Sequence, residues 1–74
     1  MIAPEQAQRY VYDTLRDHFN RTPEHLEVPQ IVEMTGLDEV TVQNALRRLY
    51  ETRRIDGVPV AELHYPVRVT GLLD

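Results

Sequence analysis

The chain contains no cysteine, no tryptophan and no lysine, and it has only three glycines. Without cysteine there is no disulfide framework, and no thiolate to bind zinc or attack a substrate. Gly36, Gly57 and Gly71 stand far apart, so no glycine-rich loop is available to cradle a phosphate. No apolar run approaches the roughly 20 residues that a membrane span needs. Residues 1–15 lack the charged-then-apolar layout of a secretory leader. These absences predict a soluble, cytoplasmic domain without a membrane segment. The histidines His18, His25 and His64 lack the i, i+4 pairing of a helical metal site. Asp13 and Asp17 lie one helical turn apart on a predicted exposed face, where solvation explains them better than acid–base work. The expectation is therefore no catalytic residue, no metal and no cofactor.

What remains is a 74-residue chain with 42% apolar and 27% charged residues, enough for one domain around one core. A chain this short buries only about 60% of its unfolded surface, which leaves little for a large catalytic cleft. Net charge is −4, which argues mildly against a non-specific coat on nucleic acid. Its distribution says more than its sum. Residues 1–40 hold three arginines against eight acids, whereas residues 41–74 hold five against four. Within 41–55, four arginines face only Glu51. All eight basic residues are arginine, the side chain better suited to bidentate contact with bases or phosphates.

Periodicity predicts three helices and a hairpin. Ala7, Val11, Leu15 and Phe19 recur at spacings of four, giving a first helix over about 4–19. Pro4 suits its first turn and Glu5 its positive end. Asn20, as a left-handed cap, and Pro23 are expected to stop it. Thr22-Pro23-Glu24 has the makings of one further short turn, and His25 to Val28 reads as extended. A second helix spans about 29–35 with Ile31, Val32 and Met34 as its buried candidates. Gly36 then supplies a left-handed stop, with Leu37 beneath the turn, and Asp38 caps a third helix over about 38–53. Val42, Leu46, Leu49 and Arg53 fall in one wedge of that helix, with Ala45 at its edge. Val40, Asn44, Arg47 and Glu51 lie opposite. Asp56-Gly57 signals a turn. Val58–Leu63 and Val67–Thr70 read as an antiparallel hairpin over about 58–70, with His64-Tyr65-Pro66 at its tip.

Helix, tight glycine turn, helix is the layout of a helix-turn-helix. The stretch Met34-Thr35-Gly36-Leu37-Asp38-Glu39-Val40-Thr41-Val42-Gln43-Asn44-Ala45-Leu46-Arg47-Arg48-Leu49 resembles that motif in GntR-like and MarR-like regulators. Those families often show a pattern close to G-[LV]-S-x-x-T-V-x-x-A-L-x-x-L. The likeness is good over about 28–56, looser over the hairpin and generic over the first helix. It implies an α+β, mainly α fold, a three-helix winged helix-turn-helix with a C-terminal β-hairpin wing. It also implies sequence-specific binding of double-stranded DNA by a small transcriptional regulator. The families usually end the third helix in glycine, where this chain has Arg53-Arg54.

Under that reading the third helix enters the major groove, whose base edges present a legible donor and acceptor pattern. Thr41, Gln43, Asn44 and Arg47 are the candidate base readers, and Val40 is placed to meet a thymine methyl. Arg48, Arg53, Arg54, His64 and Arg68 are the candidate phosphate contacts. Two modules normally share a site, so a homodimer or a partner protein is expected. A polar outer face is also what any amphipathic helix shows. The alternative is a winged helix that docks or oligomerises with protein and binds no DNA. Helix 1 would then expose Tyr10 together with Tyr12 or Val11, depending on its rotation.

Overall fold

A computed structural model describes residues 2–59, Glu62 and residues 65–73. Within them the order is α1 (Pro4–Arg21), β1 (Leu26–Glu27), α2 (Val28–Thr35), α3 (Glu39–Glu51), β2 (Ile55–Pro59) and β3 (Pro66–Leu72). The strands form one antiparallel sheet in the order β1-β3-β2. The described residues thus make a small α+β domain. Among them no helix is long and apolar enough to cross a membrane.

The first helix begins as its sequence predicts, with Pro4 in the first turn and Glu5 at the positive end. Its end differs from expectation. The helix runs on to Arg21, whose guanidinium donates to Asp17 at 2.7 Å. The Thr22 N–H closes the last turn on the His18 carbonyl, and Thr22 itself is extended, as a residue before proline must be. Asn20 is therefore not a left-handed cap, and no extra turn starts at Thr22. Leu26 and Glu27 then pair with Val69 and Arg68 of β3.

Buried Ala7, Val11, Tyr12 and Leu15 face the core from α1, so Tyr10 is the tyrosine left exposed. Leu15, Ile31, Leu46, Leu49 and Ile55 are sealed from solvent and join three helices to the sheet. Each such side chain contributes about 1.5–3 kcal/mol by burial. In α2 the inward residues are Val28, Ile31 and Thr35, with Val32 at the edge; Met34 points out, 43% exposed. Thr35 takes the inner place because its hydroxyl donates to the Ile31 carbonyl at 2.8 Å and accepts the Leu37 N–H at 3.2 Å. Gly36 is left-handed (φ 72°), as expected, and Leu37 packs on the core beside it.

The third helix stops two residues earlier than its periodicity suggests. The Arg53 N–H reaches the Tyr50 carbonyl and the Arg54 N–H reaches that of Leu49. Arg53 is left-handed (φ 60°) and exposed, outside the apolar wedge. This paired closure is the Schellman end of a helix, with arginine where glycine is usual. Asp56-Gly57 forms no turn. Both residues lie within β2, and β3 spans 66–72 rather than 67–70. The pairing slips between Asp56 and Gly57 and again between Val58 and Pro59, leaving Thr70 and Val67 of β3 without opposite numbers. Gly57 serves this close approach: a Cβ there would sit 2.5 Å from the Arg68 carbonyl oxygen and 2.6 Å from the Pro66 Cβ.

Candidate nucleic-acid interface

The outer face of α3 starts from its cap. Asp38 accepts the Thr41 N–H at 3.3 Å and the Thr41 hydroxyl in a second, short bond. These two bonds, the hydroxyl's first, hold the exposed Asp38 carboxyl below the ordinary aspartate pKa. One turn on, the Gln43 amide donates to Glu39 at 3.0 Å. Two of the four predicted base readers therefore already use a polar group inside the helix. Thr41 and Gln43 are also half-buried.

Asn44 and Arg47 differ from them. Both are exposed, and among the described residues neither side chain makes a hydrogen bond or ion pair. Val40 shares their stripe and is 62% exposed. Arg48 flanks it, exposed and likewise without a partner among the described residues. Glu51 closes the stripe and makes no ion pair with Arg47 or Arg48. Among the described residues, nothing engages the two guanidinium groups of Arg47 and Arg48 or the Asn44 amide on the outward surface of α3.

The remaining cationic candidates scatter. Arg53 follows the helix at its left-handed turn, exposed to solvent. Arg54 is half-buried with its guanidinium over the Tyr12 ring, 4.1 Å from the centroid, so it braces α1 against the start of β2. Sequence reasoning missed this contact, because nothing local in the chain links positions 12 and 54. Arg68 lies on the central strand opposite Glu27 and Val58, with its side chain exposed. His64 lies outside the described residues. No group of three or more metal-ligating side chains is clustered among the described residues. No protein-family model, curated protein or solved structure matches the chain.

Proposed function

We propose that the chain is a winged helix-turn-helix domain that binds double-stranded DNA through the outer face of α3, with the β2–β3 hairpin as its wing. The observation carrying this reading is the pair Asn44 and Arg47. Both side chains project from α3 without a hydrogen-bond or ion-pair partner among the described residues, one turn apart on an exposed stripe. An amide in that position can pair with adenine and a guanidinium with guanine, each at about 1–3 kcal/mol of discrimination. A 13-residue helix is about 20 Å long, enough to lie along a groove about 12 Å wide. Arg48 and Arg53 flank the stripe as phosphate contacts, and Arg68 extends the set onto the sheet. Arg54, held over Tyr12, acts mainly as a brace. The natural setting is a small transcriptional regulator, working as a homodimer or beside a partner protein.

Exposed Val40 and Met34, which border the turn between α2 and α3, favour the second reading, a docking surface for protein. Anisotropy titration with labelled duplexes separates the two. Duplex binding that weakens steeply with salt supports the proposal. Arg47→Ala should flatten the preference at one base pair, and Arg48→Ala should weaken all sequences alike, lowering the salt slope by about 0.9. Absence of duplex binding at low salt, or both variants binding like the parent, overturns it.

A further inference from the structure

The outward side of α1 carries a charge pattern that its own helix consumes only in part. At one turn per 3.6 residues, Glu5, Arg9, Asp13 and Arg16 fall within about 80° of arc, so they form one stripe. All four are exposed. With Tyr12 and Arg54 they line a cleft of about 650 Å³. Glu5 precedes Arg9 by four residues, the favourable order for an intrahelical pair. Yet among the described residues neither makes an ion pair or a hydrogen bond. Asp13 and Arg16 approach only to 4.0 Å, whereas Asp17 and Arg21 next door close to 2.7 Å.

Read from either end, the stripe alternates in sign, and reversal turns −, +, −, + into +, −, +, −. A second copy of α1 laid antiparallel therefore opposes unlike charges throughout, whereas a parallel copy opposes like ones. We infer that two copies of this chain pair along α1 about a two-fold axis that crosses the exposed stripe midway between Arg9 and Asp13. Glu5 of one copy then faces Arg16 of the other, and Arg9 faces Asp13. The two-fold axis makes each pair twice, which is the self-complementarity an isologous contact demands. The two registers differ by one residue, about 1.5 Å along the axis, well within the reach of an arginine stem. The cleft beside Tyr12 gives the opposing side chains room to seat. Such a contact is polar, so it is weak and dissolves in salt. The contact does not depend on DNA reading and is measured without DNA.

Sedimentation of the full chain at about 0.5 mM and about 0.05 M salt should show dimer, reverting towards monomer at about 0.5 M salt. Arg9→Glu and Asp13→Arg should each weaken self-association at least about tenfold, since like charges then meet across the axis twice. Circular dichroism melts of both variants establish that each is folded. The decisive measurement mixes the two monomeric variants. The acidic stripe of one then faces the basic stripe of the other, and a mixed dimer should form with affinity at or above the parent's. A parent that stays monomeric at low salt overturns the proposal. So does a parent dimer indifferent to either variant, or a mixture that fails to associate.

Discussion

Two helices end in a left-handed residue, and the residue differs: Gly36 after α2, Arg53 after α3. The first end is built from the least strained choice. The second keeps a long cationic side chain where glycine would be cheaper by sterics, since a Cβ in that region costs about 1–2 kcal/mol. Both turns flank the helix proposed to read DNA. The turn before α3 sets its entry angle, so its chemistry is chosen for geometry. The turn after α3 leads towards the sheet, and there a guanidinium is retained despite its backbone cost. Strain kept at a solvent-exposed position is a reason to look for function.

The largest effect should come from Gly36→Ala. Nothing lies within 4 Å of a Cβ built at Gly36, so the loss reflects φ alone. The strain of about 1–2 kcal/mol, less what alanine's stiffer unfolded chain returns, leaves an expected destabilisation of about 1–1.5 kcal/mol, read by urea unfolding, with Gly36→Asn losing less because asparagine visits this region more readily. Equal losses for both substitutions would mean that the turn needs something other than left-handed freedom.

Arg53→Gly should act in the opposite sense and more weakly. Removing the Cβ relieves strain, while glycine's freedom in the unfolded chain takes back about 0.4–1 kcal/mol. A net gain of about 0.5–1 kcal/mol remains, which raises the melting temperature of a domain this size by several degrees. Duplex affinity should fall in the same variant, with a shallower salt slope. Stability and binding moving in opposite directions would mark Arg53 as a residue held for its charge. A variant gaining stability and losing no affinity would leave that charge without a role.

The same two turns explain what the sequence made legible. Gly36 and Asp38 are local signals, and the apolar stripes of α1 and α3 carry their own period, so three helices and their order could be read directly. The end of α3 was less legible because arginine occupies a glycine's conformation. Asp56-Gly57 misled for the converse reason: the glycine answers to a neighbouring strand, and no window along the chain reveals that approach. Met34 and Thr35 exchanged places because a hydroxyl can satisfy itself on the preceding turn and so tolerate burial. At the candidate site, the spacings of Asp38 to Thr41 and Glu39 to Gln43 already contained the bonds that occupy two of the four readers. The seating of Arg54 on Tyr12 joins distant segments and needed the fold.

The smallest effect concerns the cap that assists Gly36, and it titrates. Asp38 has its pKa lowered by the Thr41 hydroxyl and N–H, so the folded state holds the carboxylate more tightly than the unfolded chain does. A depressed folded pKa gives stability that is fully present above the unfolded value, about 4. It is lost as pH falls through the lowered folded value. The closure at Arg53 uses only backbone groups and has no such dependence. Acid should therefore loosen the first turn of α3 before its last, read as amide exchange at Thr41 against Arg53 and Arg54. Asp38→Asn keeps a capping side chain but removes the charge, so its unfolding free energy should fall less steeply than the parent's over that acid limb. Other carboxylates titrate in both proteins and cancel in the difference. Parallel acid limbs would show that the cap contributes through shape, with no share carried by its charge.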